Sequence, residues 1–584
     1  MTKSPDALTR RDMLLGAGAV TASLGAVTLG GASTAEAAEQ WDHEADIVIV
    51  GTGVGGCTAA VTAHEQGDSV VMLDKMPFVG GTSKKSAGVL WIPNNHTLKA
   101  KGIDDKKEEC LQYLARFSYP ERYVAGQPNL GLTALEYGLL EAFYDNASPA
   151  LDRMREVGAL RTAEWRMFAL DRSATDYLDH VPENKVPTGR AVGPVQPDGT
   201  MGLGVELMTQ LGDAVTKRKI PILLEHEATR IVTNDARRVI GIEAMSAGRQ
   251  IRVKARKGVI FASGGFAHNL AFADTYMRHR LYGSCAMPSA TGDFIRLATA
   301  LGARLGNMSG KWGTQIVLDD ALRNHVLATG VFFPPGDSML QVNRYGRRAV
   351  NEKRDYNDRT EAHGYFDPSQ VEYPNELMFM IYDQRSAEAF AGAYPFPPTP
   401  TGAKYVLQAD TLEGLTERIA ARLQAIAART GNLALAPSFL STLKGSIARF
   451  NGFARAGKDE DFNRGAAGYD REWQMVFSPM NPQSKYATDK GNGSTMYPLA
   501  DAGPYYCVIL AAGSLDTCGG PQTDASGRIL DGHDQPIAGL YGAGNCIASP
   551  SRFAYYGAGH TLAESLVFGY ITANAAHRDA SGKG

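Results

Sequence analysis

Among its six cysteines (Cys57, Cys110, Cys285, Cys507, Cys518, Cys546) the 584-residue chain has no CxxC pair. That absence sets aside a tetrathiolate zinc site, a thioredoxin-type redox pair and covalent c-type haem, and no metal site is expected. Neither sign of charge is in surplus: 59 Lys and Arg against 62 Asp and Glu leave a net charge of −3. Nucleic-acid binders show a basic excess, so that class is excluded. Beyond the first forty residues no run reaches the ~20 apolar residues that a membrane helix needs. Internal repeats and low-complexity periods are missing as well. Glycine is plentiful, with 64 residues, above the usual share of about 7%. It falls in short clusters such as Gly51–Gly56, Gly80-Gly81, Gly264-Gly265 and Gly542–Gly544. That pattern suits an α/β enzyme whose backbone must approach a phosphate or a ring. A chain this long buries a large core without disulfide or metal staples.

The N-terminal segment reads as an address. Arg10-Arg11 precede Met13–Ala35, a stretch without charge, and Ala35-Glu36-Ala37 offers small residues for cleavage. This is the three-part secretory layout, and the paired arginines give it a twin-arginine character. Residues 1–37 are expected to be a signal peptide that takes the folded enzyme through the twin-arginine translocase to an extracytoplasmic location.

The mature chain opens with a buried strand, Ala45–Val50, then the glycine turn, a helix over Cys57–Gln66 and a second strand, Ser69–Leu73. This is a βαβ unit. A helix is predicted over Gly204–Lys217, with a strand at Ile220–Leu224. Paired strands are predicted at Ala228–Val232 and Val239–Ala244, and a buried strand at Gly258–Ala262. After about residue 300 buried-strand signals thin out and loop texture dominates. Leu412, Leu415, Ile419, Leu423 and Ile426 recur at helical spacing, which predicts an amphipathic helix capped by Thr411. Another helix is predicted over Pro437–Gly457. Strand texture returns from Tyr505, and a last helix starts near Thr561. The expected architecture is α/β: a Rossmann-like domain (40–299 and 501–584) split by an inserted α+β domain (300–500).

Gly51-x-Gly53-x-x-Gly56 gains its meaning from its place between strand and helix, with Asp74 lying 74 − 51 = 23 positions on. Gly51 permits the tight turn, Gly53 lets the backbone approach a pyrophosphate, and Gly56 lets the helix pack closely. The helix N-terminus faces the phosphates, and Asp74 accepts from the adenosine ribose. Three distant features favour FAD over NAD: the loop Lys75–Ser83 with Gly81, Thr82 and Ser83, the turn Ser263-Gly264-Gly265, and Gly542-Ala543-Gly544-Asn545 near the C-terminus. A cofactor touched by both ends of a chain is long and deeply buried.

At these residues the chain resembles the flavoprotein group of fumarate reductases and 3-ketosteroid dehydrogenases, and more closely the 3-ketosteroid 1-dehydrogenases. The resemblance covers about residues 44–577. It is carried by Ser86–Asn95 with Gly88, by Phe450–Arg455, by Gly503–Tyr506 and by Gly542–Gly569 with Thr561 and Leu562. It implies a substrate-capping inserted domain and non-covalent FAD, because relatives with a histidine-linked flavin carry that histidine around Thr82–Ser86, where this chain has none.

Tyr555-Tyr556-Gly557-Ala558-Gly559-His560-Thr561 precedes the last helix, so backbone N–H groups near Gly559 are donors without helical partners. Such donors stabilise a developing oxyanion. The resemblance implies that the Tyr555 hydroxyl and the Gly559 N–H hold the carbonyl of a small apolar ketone. The family has proline where this chain has Tyr556 and Ala558, which is expected to loosen the loop. Tyr356, in Asn351–Tyr356, matches the family's catalytic base, and Tyr177 corresponds to a third family tyrosine. A tyrosine of ordinary pKa, about 10, is a poor base at neutral pH. Arg347, Arg348 and Arg354 are candidates to lower it. The expected reaction takes a proton to Tyr356 and a hydride to flavin, with a quinone or a soluble carrier as electron acceptor. The alternative is a fumarate- or enoate-type reductase, for which Arg552 is the cation available to a carboxylate.

Overall fold

A computed structural model describes residues 40–167, 172–476, 481–486 and 495–580. The expected signal segment therefore lies outside the described residues. Among the described residues no helix is long and apolar enough to cross a membrane.

The first strand, His43–Val50, sits at the centre of an eight-stranded sheet. It pairs in parallel with Val70–Leu73 on one side, Ile47 against Val70 through Val50 against Leu73. On the other side it pairs in parallel with Arg249–Phe261, Val50 meeting Phe261. Both faces of this strand are covered, so its sequence is continuously apolar rather than alternating. Ile47 and Ile49 join the core beneath the helix Val54–Glu65, while Val48 and Val50 enter the core on the opposite face. The helix Val54–Glu65 packs on the C-terminal helix His560–Ala580 through glycines: a Cβ on Gly569 would stand 2.4 Å from the Gly55 carbonyl oxygen.

The paired strands predicted at Ala228–Val232 and Val239–Ala244 are present as Glu227–Thr233 and Val239–Ser246, and they run antiparallel. The strand predicted at Ile220–Leu224 is shorter, only Ile222–Leu223. The strand expected at Gly258–Ala262 is the end of a 13-residue strand, Arg249–Phe261, whose first half pairs with Val239–Ser246.

The loop texture expected after residue 300 is corrected. Lys311–Val317, Met339–Val342 and Leu377–Asp383 are fully buried strands of a second, six-stranded sheet. Leu377-Met378-Phe379-Met380-Ile381-Tyr382 is apolar on both faces, so no alternation marks it, and it has one β-branched residue. One face packs on the helices Leu412–Ala425 and Phe439–Ala456 through Phe379, Ile381, Leu415, Ile419 and Leu443. Thr411 caps the first of these helices as predicted, its hydroxyl accepting from the Gly414 N–H at 3.1 Å. Gly457 ends the second in the left-handed region, φ 70°.

Tyr505–Thr517, expected to reopen the first domain at 501, is the central strand of this second sheet. It pairs antiparallel with Lys311–Val317 and with Leu377–Asp383. The chain re-enters the first sheet later, at Arg528–Leu530 and Pro536–Gly542.

Candidate active site

Turns at the ends of first-sheet strands, and side chains from the second sheet, enclose one cavity of about 400 Å³. All the site residues expected from sequence line it except Gly56. Gly56 serves the turn instead: a Cβ there would lie 2.0 Å from the Gly51 carbonyl oxygen. Gly51 needs its freedom outright, with φ +109° and a virtual Cβ 2.2 Å from the Ala262 oxygen. Gly53 differs. Its backbone is extended (φ −68°, ψ −172°), and the nearest atom to a Cβ would be Ser83 Oγ at 3.3 Å.

At this end the Asp74 carboxylate accepts from Thr52 N–H and Oγ1 at 3.0 and 2.6 Å and from Met76 N–H at 2.9 Å. Ser83 Oγ accepts from Val54 N–H, and Thr82 Oγ1 accepts from Met287 N–H. Lys75 borders the cavity, but its ammonium is held by Thr291 and Asp293, each at 2.6 Å. Gly264 and Gly544 adopt positive φ, and Gly81 and Gly88 do too. Asn545 donates to Asp516 at 3.1 Å and accepts from Trp312 Nε1 at 3.0 Å. Asp516 also accepts from Gly265 N–H at 2.9 Å, so a second-sheet carboxylate pins two first-sheet turns.

The other end is aromatic. Tyr177, Tyr356 and Tyr555 form a triangle, with ring centroids 5.5, 5.4 and 5.3 Å apart. Trp312, Trp165, Phe332, Phe333 and Trp473 complete the wall. Distant segments meet here for identifiable reasons. Asn357, next to Tyr356, accepts from Gly313 N–H and donates to the Phe553 oxygen, tying the Tyr356–Glu361 helix to the Tyr555 loop. Tyr177 N–H donates to the Tyr556 carbonyl at 3.0 Å. Beside Tyr177, Asp176 accepts from Trp91 Nε1 and from Arg190, and Arg190 grips Asp105 through two bonds of 2.7 Å. Burial, against the pull of Arg190, moves the Asp176 carboxyl up to about 6.

The loop without its prolines is not loose. Tyr556 is 1% exposed, its hydroxyl meets Ser118 Oγ at 2.6 Å, and its ring packs on Trp91, Tyr113 and Phe117. Gly559 has φ +87°, and a Cβ would sit 2.2 Å from the Val89 oxygen.

The arginines proposed to ease ionisation of Tyr356 do otherwise. Arg348 pairs with Glu352 and Asp459 at 2.7 and 2.8 Å. Arg354 lies against Asp355 and Asp358, and Arg347 is exposed. Burial, followed by the Tyr177 and Tyr555 oxygens, pushes Tyr356 well above its ordinary value. Burial raises Tyr555 too, while hydrogen bonds with Tyr356 and Thr561 oppose that rise. Arg552 is absent from the cavity lining and donates to Glu121 at 2.6 Å. Sequence reasoning missed Asp516, Trp312, Phe333 and Trp473. Three of the chain's five tryptophans, Trp165, Trp312 and Trp473, stand here, but no motif marks them.

Residues 46–562 match the FAD binding domain family. The 3-oxosteroid 1-dehydrogenase of Mycolicibacterium smegmatis is 30% identical, across 91% of this chain and 97% of that protein. The 4-oxocyclohexanecarboxylate 2-dehydrogenase of Sinomonas cyclohexanicum is 28% identical, across 92% and 93%. A crystal structure of 3-ketosteroid delta1-dehydrogenase from Sterolibacterium denitrificans, in complex with 1,4-androstadiene-3,17-dione, matches with a TM-score of 0.74. That match has 26% identity and covers 93% of this chain and 100% of that one.

Proposed function

The chain belongs to the FAD binding domain family as a flavin oxidoreductase acting on CH–CH bonds, and from that premise we propose that it 1,2-dehydrogenates a 3-ketosteroid or a similarly apolar cyclic ketone. The observation that carries this reading is the buried triangle of Tyr177, Tyr356 and Tyr555 beside Gly559, at the aromatic end of a dinucleotide cavity.

The residues present fit FAD. The half-buried Asp74 carboxylate lines the cavity, Gly53 leaves free the space a Cβ would take, and the start of the His560–Ala580 helix opens onto it through Thr561 and Leu562. Gly51, Gly53, Asp74, Lys75, Gly81, Thr82, Ser83, Gly88, Gly264, Gly544, Asn545, Thr561 and Leu562 would hold it, without a covalent link. When bound, FAD supplies a hydride acceptor at flavin N5.

The chain's own residues do the rest. Tyr555 donates its hydroxyl, and Gly559 its N–H, to the ketone oxygen, which acidifies the adjacent C–H. Tyr356 receives the C2 proton as the C1 hydrogen leaves. Donors and base act together on one enolate-like transition state. The aromatic walls exclude water and offer apolar surface. Among the described lining residues the cations are Lys75 and Lys85, the first neutralised by Asp293 and the second donating to the Leu327 oxygen at 3.0 Å. The aromatic end thus holds no described cation for a carboxylate, which favours a neutral ketone over a keto acid. The placement of Arg552 outside the cavity speaks equally against the reductase reading.

Export by the twin-arginine translocase to an extracytoplasmic site belongs to the proposal and is supported by Arg10-Arg11 and the uncharged Met13–Ala35 run. Reoxidation by a quinone or a soluble carrier completes it. The test is anaerobic titration of the FAD-loaded protein with a panel of 3-ketosteroids, with 4-oxocyclohexanecarboxylate alongside. Flavin bleaching by steroids and none by the keto acid is the expected result. Bleaching by the keto acid alone overturns the substrate assignment.

A further inference from the structure

If a ketone is oxidised as proposed, the proton taken by Tyr356 has to leave a buried side chain whose cavity face the substrate covers. Tyr177, Tyr356 and Tyr555 are 1%, 7% and 4% exposed, and the strongest neighbours of Tyr356 are the other two tyrosines rather than a cation. Outside the cavity lining, behind the triangle, stands a fourth tyrosine. The Tyr469 ring lies 5.0 Å from that of Tyr177, the side chain is 1% exposed, and its hydroxyl has no hydrogen-bond partner among the described residues. The same holds for Asp470 Oδ1 beside it, and for Asp355 Oδ2, Arg354 Nη1 and Arg354 Nη2 at the start of the Tyr356–Glu361 helix. Tyr469 Oη, Asp470 Oδ1 and Arg354 Nη1 have no ion-pair partner among the described residues either, and three such buried atoms in one neighbourhood are unusual, because buried polar atoms normally find partners in protein or ordered water. Arg354 links them outward: its Nε is 3.2 Å from Asp355 Oδ2 and its Nη2 is 3.6 Å from Asp358 Oδ2, on a side chain 30% exposed.

We infer that Tyr469 and the Asp355–Asp358 carboxylate pair form the proton exit of the base Tyr356, with solvent bridging the unpartnered atoms between them. The inference rests on the ketone-oxidising reading above. The substrate C2–H bond breaks and a Tyr356 O–H bond forms. The proton Tyr356 already carries passes to Tyr177, that of Tyr177 to Tyr469, and that of Tyr469 to the carboxylate pair, which releases one proton to bulk water. The electron pair of the neighbouring C1–H bond leaves with its hydrogen to FAD. Each tyrosine ends as it began, so no buried phenolate has to persist. The carboxylates are able to take up and release a proton closer to neutral pH than an ordinary aspartate, because the burial of Asp355 and the repulsion between the two carboxylates, partly offset by Arg354, raise both. The raised titration belongs to the pair. The charged or titratable groups facing it are Arg354, Arg359 and Glu361 on its own segment, Tyr469 on the Gly468–Val476 helix, and Tyr177 and Tyr555 of the triangle, while Asp470 faces Arg354. The exit works only with the pair ionised, so flavin reduction slows as pH falls through the pair's value.

The test follows flavin reduction by a 3-ketosteroid against pH in the holoenzyme. Asp358→Asn removes the repulsion on Asp355 and should move the acid limb to lower pH. Asp355→Asn keeps an oxygen for the Asp358 N–H, which Asp355 now accepts at 3.0 Å, but removes the acceptor. Its rate should fall by about 10²-fold, without the acid limb and with flavin content and ketone Kd unchanged. Tyr469→Phe keeps the packed ring and should slow reduction in the same way, and it decides alone if Asp355→Asn loses its flavin. Wild-type rates with an unmoved limb in Tyr469→Phe and Asp358→Asn overturn the exit and leave the ketone reading standing. A wild-type holoenzyme whose flavin no ketone reduces overturns that reading and the exit with it.

Discussion

Gly53→Val separates a glycine kept for its ligand from glycines kept for the fold. The Gly53 backbone, φ −68° and ψ −172°, is open to any residue. The first branch atom meets only Ser83 Oγ at 3.3 Å and the Gly80 oxygen at 3.9 Å, so a hydroxyl must give by a few tenths of an ångström. Replacing glycine in a compatible conformation stabilises by about 0.4–1 kcal/mol through the unfolded chain, which offsets a contact of that kind. The protein without FAD should therefore keep its stability to within about 1 kcal/mol. Gly51→Ala is the control. Its φ of +109° and the 2.2 Å overlap with the Ala262 oxygen each carry a cost of roughly 1–3 kcal/mol. With FAD present the order changes, because the valine methyls occupy the space through which the backbone meets the pyrophosphate. Purified Gly53→Val should be folded and colourless, while Gly51→Ala should be both unstable and colourless. The assay is flavin absorbance per protein with denaturant unfolding of the flavin-free forms. Stoichiometric flavin in Gly53→Val, or a loss of stability equal to that of Gly51→Ala, refutes the reasoning.

Tyr555→Phe removes one donor to the ketone oxygen and should lower kcat/KM by about 10²–10³ with FAD retained; an unchanged kcat/KM removes Tyr555 from the reaction. Arg190→Met leaves the carboxylates of Asp105 and Asp176, 2.7 and 2.6 Å from the guanidinium, buried and unpaired. Breaking one side of a buried pair costs about 3–5 kcal/mol, readable by denaturant unfolding, and a loss below 1 kcal/mol contradicts the assignment. Asp46 is held well below the usual carboxylate range, foremost by its hydrogen bond with Arg256. A depressed carboxyl stabilises the fold above its unfolded value and loses that contribution as pH falls through the folded one. Asp46→Asn should therefore flatten the stability curve below about pH 4, and a curve of unchanged slope argues against the pair.

The dinucleotide half was legible because its chemistry is local. A strand, three glycines and an acid 23 positions on lie within thirty residues, and the backbone follows from their spacing. The helix at Leu412–Ala425 was equally legible, since one apolar stripe and a threonine cap declare it. The second sheet was not. Leu377–Asp383 is covered on both faces and shows no period, and Tyr505–Thr517 pairs with strands more than a hundred residues earlier. The tyrosines could be picked out by resemblance, yet their triangle depends on Asn357 reaching Phe553 and on Tyr177 N–H reaching the Tyr556 carbonyl. Such long-range bonds leave no pattern along the chain. Arginines near Tyr356 in sequence misled for the same reason, because each is taken by a carboxylate or by solvent.

The central claim is that Tyr356 accepts the substrate proton. Anaerobic stopped-flow reduction of FAD by a 3-ketosteroid, in wild type and in Tyr356→Phe, tests it most directly. Tyr356 is on the Tyr356–Glu361 helix rather than in the dinucleotide cradle, so the variant should stay yellow and folded. The account predicts rapid bleaching in wild type and a rate lower by about 10²–10⁴ in the variant. A near-wild-type rate in Tyr356→Phe contradicts it.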